Sequence, residues 1–450
     1  SEDHPLQLTI DYLLKNRAKI SRIALKPLKP ADIAHLVSDA TGTESDKSNE
    51  LAEILMDKTG GNPFFIELFL KDLHSRKFLR FHFGKEKWEW DKNRIALSGI
   101  ADNVLDLVRD KINRLDPDER RLLKSASCIG TLFNLKLLSA VSGDAHGKIL
   151  KNIRKLVSEG FLLPVNGAYK IVAGESEDLS FEFMFIHERI QNVAYSSLEE
   201  HAKEKAHLKI GLFLKNISDD GKFDGWVFEV ANHLNIGIKS VSDQSLRDDL
   251  ALLNLKAGKK AKQATAFELA YKYFRKGICL IGDCGWKQDY SLSLSLFIEA
   301  AEAAYLCGEY EATSSLTDSV LQNARTILDK VKAYEVIIES QKAQYRLFEA
   351  LRTAKSVLAL LGVKFPRKPD AFATVMSFVL TNFTLAGKKI ENLKNLKEMK
   401  DPAKKASMRI LASVSPASYF AEPELTPFLV FRAVRNSIRY GNTPVSASMY

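Results

Sequence analysis

Cysteine is scarce. The 450 residues hold four, at positions 128, 279, 284 and 307. Cys279 and Cys284 have neither a second pair nor a histidine beside them, which excludes a zinc ribbon or finger. So few, unpaired cysteines fit a reducing, cytoplasmic compartment. A secretory leader is also missing, because the opening Ser1-Glu2-Asp3-His4-Pro5 is polar and has no apolar run behind it. Without a starting methionine, the chain is expected to be an internal fragment. Long hydrophobic runs are nearly absent. One uncharged stretch, residues 371–387, is short for a membrane span and carries Thr374, Ser377, Thr381, Asn382 and Thr384. It reads as a buried solenoid helix, with a membrane helix as the alternative, and no membrane insertion is expected.

The chemistry of a complete enzyme is missing as well. A phosphate loop needs Gly-x-x-x-x-Gly-Lys-Ser/Thr, whose backbone donors wrap phosphates while the hydroxyl holds magnesium. The nearest approach, Gly143-Asp144-Ala145-His146-Gly147-Lys148-Ile149, is one residue short and has Ile149 where the hydroxyl belongs. His187-Glu188 lacks the second histidine of a metalloprotease helix, since Gln191 stands there. No protein-kinase signature or nucleophile elbow occurs. No catalytic residue and no metal ligand is therefore assigned.

What is present is ordinary globular material, 46% hydrophobic and 27% charged, with a formal net charge of +9. Lysines spread along helices read as solvated faces, so nucleic acid is not expected as a partner. The fold class reads as mainly α. Thr59-Gly60-Gly61-Asn62-Pro63-Phe64-Phe65 is the sharpest punctuation, where two glycines, an Asn and a Pro end one helical pattern and an apolar helix over 64–73 begins. Such a turn exposes backbone N–H groups at a helix N-terminus. Before it, residues 20–25 alternate as a strand. Residues 31–39 form a helix with Ile33, Leu36 and Val37 inward, residues 41–49 a polar loop, and a second helix starts at Asn49. After it, residues 78–90 read as a β-hairpin. Its Trp88 and Trp90 are either a base-stacking platform or a brace for the hairpin.

Residues 100–200 read as a winged helix: helices over 103–115, 118–129, 135–141 and 147–159, strands over 161–164, 168–172 and 179–185, and a last helix over 188–197. Asp116 caps and Pro117 opens the second of these helices. Helix 147–159 carries Lys148, Lys151, Arg154 and Lys155 on one face, either a groove-reading surface or a solvated one. Beyond residue 200, small residues alternate with aromatics at helical spacing: Ala270 with Tyr271 and Tyr273, Ala300, Ala301 and Ala304 with Tyr305, Ala350 and Ala354 with Tyr345 and Phe348. On a period of roughly forty, this resembles tetratricopeptide-type helix pairs, in which small residues let helices approach and aromatics fill the gaps.

Taken in order, HPL (4–6), ISRIALKPL (20–28), KTGGNPFFIELFLKDL (58–73), WEWD (88–91), FIHERIQNVAYSSL (185–198), AGKKAKQATAFELAYKYF (257–274) and YGNTPVSASMY (440–450) carry a resemblance over essentially the whole chain. They resemble the predicted-ATPase region of bacterial multidomain sensor histidine kinases and hybrid serine/threonine kinases. That region belongs to the AAA-related signal-transduction ATPases with numerous domains (STAND, Orc1-like). The resemblance implies a C-terminal remnant of an NTPase core at 1–30, a helical lid at 31–78, a hairpin connector at 79–95, a winged helix at 96–200 and a truncated tetratricopeptide-like solenoid at 201–450. The core's phosphate loop would precede Ser1.

By the same resemblance Gly61, Asn62 and Pro63 match the lid motif, whose proline packs on the nucleotide base. His187 matches the winged-helix histidine that senses the nucleotide diphosphate, although Glu188 stands where Asp is common. On the residues alone His187 could equally cap the next helix. Implied cofactors are ATP and ADP in the full-length parent, with none held tightly by this fragment. Bound ADP would bridge core, lid and winged helix, and ATP would loosen them. Implied partners are the intramolecular NTPase core, the kinase and sensor domains, and a protein on the solenoid. Two other readings are a transcription regulator of the same class and a pure protein-binding scaffold.

Overall fold

The computed structural model describes residues 25–450 except 44, 93–94, 96–103, 219–222, 241–242, 366–369 and 388–389. The strand expected over 20–25, and most of the expected core remnant, fall outside the described residues. Two compact units divide the chain, Ser1–Glu199 and Glu200–Tyr450.

Among the described residues the first unit opens on three helices, α1 (Pro30–Thr41), α2 (Ser45–Thr59) and α3 (Pro63–Ser75). Pro30 opens α1, where a missing N–H costs nothing, and Gly42 ends it in the left-handed conformation. Ile33, Ala34 and Val37 are buried. Leu36, expected to point inward, lies about 100° around the helix from Val37 and is 39% exposed. The expected polar loop over 41–49 is shorter than the sequence suggests, because α2 starts at Ser45. The Thr43 and Ser48 hydroxyls meet at 3.0 Å and close the connection. A hairpin of β1 (Leu79–His82) and β2 (Lys87–Trp90) follows. Trp88 packs edge-on against His74 of α3 and Phe81 of β1, each with ring centres 5.6 Å apart. This geometry is the brace rather than the platform.

Next come α4 (Val104–Asn113), α5 (Pro117–Ile129), β3 (Leu132–Asn134), α6 (Leu135–Ser142), α7 (His146–Ser158), β4 (Leu162–Pro164), α8 (Tyr169–Ala173), β5 (Glu182–Phe185) and α9 (Glu188–Ser196). The strands form one antiparallel sheet in the order β3-β5-β4. The strand expected over 168–172 is a correction: a 3-10 turn at Asn166–Ala168 runs into the short helix α8. Asn166 at φ +52° turns the chain, and the Arg154 guanidinium donates to the Ile171 carbonyl at 2.7 Å. The third strand is β3, too short for its alternation to register. The basic face of α7 is engaged inside its own unit. Lys148 pairs with Asp118 at 2.7 Å and Lys155 with Glu159 at 3.0 Å, which fits the solvated reading of that face.

The second unit is an α-solenoid of α10 (Glu200–Ser218), α11 (Phe223–Gly237), α12 (Gln244–Gln263), α13 (Phe267–Ile281), α14 (Gly285–Gln288), α15 (Tyr290–Leu306), α16 (Tyr310–Asn323), α17 (Ile327–Ala343), α18 (Leu347–Leu360), α19 (Ala371–Leu385), α20 (Pro402–Ala421) and α21 (Thr426–Tyr440). Ala270, Ala300, Ala301, Ala304, Ala350 and Ala354 are all buried at helix contacts. The aromatics divide. Tyr273 and Phe274 fill the gaps, whereas Phe348 is 65% exposed and Tyr345, at a turn with φ +59°, is 89% exposed. Burial was also expected for the uncharged helix α19, and this too is corrected, since most of its large apolar side chains face outward.

Candidate functional site

The turn at residues 60–63 is built from the sequence upward. Gly60 and Gly61 both adopt positive φ, +60° and +76°, a conformation that costs an L side chain about 1–2 kcal/mol. Gly61 accepts a hydrogen bond from the Leu28 amide at 2.8 Å. A Cβ at Gly61 would run into the Leu28 carbonyl and lie 3.2 Å from Met56 Sδ, whereas one at Gly60 would meet open space. Asn62 then caps α3, its Oδ1 accepting from the Phe64 amide at 3.1 Å, and Pro63, exposed, occupies the first helical position. The two glycines should therefore respond differently. Gly61→Val is expected to lower the stability of the first unit by about 2 kcal/mol, combining backbone strain with loss of the Leu28 bond. Gly60→Ala should cost roughly half of that. Urea denaturation of both variants checks the ratio, and equal losses would contradict the role given to Leu28.

His187 arrives at the same place from the other end of the unit. The chain leaves β5 in extended conformation, and His187 caps α9, its Nδ1 accepting from the Arg189 amide at 3.1 Å. The capping reading is therefore realised, and it fixes Nδ1 as the unprotonated nitrogen in the neutral ring. The imidazole stacks on Phe64 with centres 4.8 Å apart and planes 18° apart, and it touches Phe65 at 5.2 Å. The Arg189 guanidinium sits 4.9 Å over the Phe65 ring. All four residues singled out in the sequence, Gly61, Asn62, Pro63 and His187, thus belong to one neighbourhood. Phe64, Phe65 and Arg189, which join them, were missed. Their signal was adjacency: two aromatics directly after the proline, and an arginine two residues after the histidine.

Beside this neighbourhood lies a cleft of about 620 Å³ whose wall includes Phe64, Leu68, Leu107, Lys111, Arg114 and Ile186. The Lys111 ammonium donates to the Glu159 carbonyl at 2.6 Å and lies 4.8 Å over the Phe161 ring. Burial pushes its pKa down, against the pull of Glu159. Asp72 is held between Arg76 and Arg114, each at 2.8 Å. Five acids (Glu67, Asp72, Asp116, Glu119, Glu159) line the cleft against four bases (Lys71, Lys111, Arg114, Lys155). It therefore has no positive field of its own to gather phosphates. Among the described residues no group of three or more His, Cys, Asp or Glu could hold a metal ion.

Against known proteins, no family model matches the chain. It is 25% identical over 352 residues to the hybrid signal transduction histidine kinase G of Dictyostelium discoideum, a match covering 68% of this chain and 10% of that protein. The chain spans about a tenth of the kinase's length. Among solved structures it is similar to a signal transduction ATPase with numerous domains that carries a tetratricopeptide repeat sensor, from Pyrococcus horikoshii. That similarity has a TM-score of 0.36 and 14% identity, and covers 96% of this chain and 57% of the other.

Proposed function

We propose that this chain is a nucleotide-responsive regulatory segment of a multidomain signalling kinase, performing no catalysis itself. In this reading residues 31–78 are the lid of an ATP/ADP site, residues 96–200 a winged helix, and residues 201–450 a solenoid that meets a protein partner. The observation that carries it is the stacking of His187 on Phe64, immediately beside Pro63. Two motifs far apart in sequence meet where a nucleotide bridging lid and winged helix would need both. Pro63 would offer its exposed ring to the base, and His187, with Nδ1 used in capping, would turn its Nε2 edge to the diphosphate. ATP or ADP would be held by the NTPase core of the full-length parent together with these residues. The switch follows if the nucleotide binds one arrangement of these parts more tightly than the other. A hybrid kinase of a eukaryote shares this segment, so the similarity supports the kinase class rather than a bacterial source.

Titration calorimetry with ADP and ATP tests the proposal. The 450-residue chain should bind weakly or not at all, and a parent chain carrying the residues before Ser1 should bind well. In the longer chain, Pro63→Ala and His187→Ala should each weaken binding about tenfold, the equivalent of one lost contact of about 1.4 kcal/mol. Tight magnesium-dependent binding by the 450-residue chain would overturn the reading. So would a longer chain indifferent to both substitutions, which would leave a protein-binding scaffold.

A further inference from the structure

Helices α3 and α4 end alike. Asp72 lies in the last turn of α3 and Asp110 in that of α4, and an arginine stands four residues after each, Arg76 and Arg114. Both arginines sit just past their helices, and each backbone amide donates to the carbonyl of its own aspartate, at 3.0 Å and 3.2 Å. The side chains, however, pair crosswise between the helices. Arg114 Nη1 donates to Asp72 Oδ1 at 2.8 Å, and Arg76 Nη2 donates to Asp110 Oδ2 at 3.3 Å. Within α3 the fit is poorer. Arg76 Nε comes within 2.8 Å of Asp72 Oδ2, yet neither atom has a hydrogen bond among the described residues. Asp72 is 10% exposed and Asp110 50%, so the quartet reaches from the wall of the cleft out to solvent.

At the other end of α3, Phe64 carries the His187 stack and Phe65 the Arg189 guanidinium. Eight residues, about 12 Å of helix, separate Phe64 from Asp72. Along that length runs the cleft, lined by Leu68 and Lys71 of α3 and by Leu107 and Lys111 of α4. Breaking the crosswise bonds need not strand a charge. Aspartate and arginine four apart, aspartate first, pair favourably on one helix, and each arginine also meets the negative end of its own helix. Exchange from crosswise to same-helix partners therefore keeps all four charges matched. It also lets Asp72 Oδ2 and Arg76 Nε form the hydrogen bond they lack. Partly exposed ion pairs are weak, so the two arrangements lie close in energy, as a two-state element requires.

We propose that Asp72, Arg76, Asp110 and Arg114 form a releasable clasp on the cleft. With crosswise pairs the cleft is closed. With same-helix pairs α3 swings about the Phe64–His187 stack and the cleft opens. Salt favours opening, because it screens the attraction between separate helices, whereas a same-helix pair is kept together by the backbone. The clasp stands apart from the nucleotide reading, and its test uses no nucleotide.

Spin labels at Glu67→Cys on α3 and Lys155→Cys on α7 measure the width of the cleft by double electron–electron resonance. Both positions line the cleft and are more than half exposed. The 450-residue chain carries Cys279→Ser, Cys284→Ser and Cys307→Ser, so that only these two sites are labelled. One short separation should dominate at about 0.05 M salt, and a longer one should grow severalfold in population at about 1 M. Asp110→Arg with Arg114→Asp sets like charges against α3 and should make the longer separation dominant at low salt. Adding Asp72→Arg and Arg76→Asp restores opposite charges and should bring back the short one. Asp110→Asn with Arg114→Gln, a milder change, should raise the longer population. If the fourfold exchange fails to fold, salt and the milder pair decide. The clasp is overturned by a separation indifferent to salt, by one indifferent to the α4 changes, or by a folded fourfold exchange as open as the twofold one.

Discussion

Replacing Phe274 with alanine should destabilise the solenoid unit by about 3–5 kcal/mol, the usual range for a fully buried aromatic. Phe274, in α13, is completely buried, and its ring lies where α12 has Gly258. A Cβ at Gly258 would lie 2.6 Å from Phe274 Cδ1. The pair is thus an interlock of one large and one absent side chain, and the helices approach because of it. Removing the ring leaves a void that the flanking helices cannot close without moving the backbone. Urea denaturation followed by circular dichroism should show a lower midpoint at unchanged slope. Gly258→Val should also destabilise, by overpacking, by about 1–3 kcal/mol. Combined with Phe274→Ala it should cost less than the sum, because the new side chain occupies the vacated space. Additive losses would mean the two residues do not share that space.

Acid should weaken the same unit at pH values above those at which its depressed carboxylates titrate. His207 of α10 and His233 of α11 are both buried, with their Nδ1 atoms 2.8 Å apart. One ring must donate and the other accept, so the pair is stable only with at least one ring neutral. Burial pushes His207 down, with Lys203 adding to it. Burial, then His207, pushes His233 to about 4. Glu229, one turn before His233 on α11, is itself raised by burial. Above pH 6.5 the histidines are neutral in folded and unfolded chains alike. Between 6.5 and about 4 the unfolded chain takes up protons that the folded chain refuses, so stability falls as pH falls. Below about 4 the loss stops growing. For His233 alone the change is on the order of 3 kcal/mol. Carboxylates held low, such as Asp289 by the Leu292 amide, act below this window. Urea midpoints at pH 7 and pH 4.5 measure the effect, and His233→Phe should flatten it. An unchanged slope with pH in that variant would remove the pair as its cause.

Much of the local architecture was legible in the residues. The Gly-Gly-Asn-Pro turn could be read as a helix stop and start because each residue has its own conformational reason to be there. The hairpin followed from alternation about a polar turn, and the solenoid from small residues at helical spacing. The misreadings share a cause, namely that local pattern is ambiguous where few residues are involved. Residues 168–172 were expected to be a strand, but β3 and β4 take the two positions beside β5, and Arg154 donates to the Ile171 carbonyl of a helical turn. Ser45 to Asn49 is polar enough for a loop, yet it lies in α2, where the Ser48 hydroxyl meets that of Thr43. Motif reading marked Pro63 and His187 separately. That Phe64 is the surface on which the histidine rests needed the fold.

Helix α19 divides the two contributions most cleanly. Its composition determined that residues 371–385 form a helix without charge, with threonine and serine along one side and phenylalanine, valine and methionine along the other. Nothing in that pattern says which side faces the protein, since a stripe of apolar residues specifies only that something apolar should cover it. The tertiary structure decided it by placing Arg435 opposite Ser377 and Thr381. A half-buried guanidinium left without acceptors costs more than exposed methyl groups and rings, so the polar side turned inward and the apolar side was left to face outward.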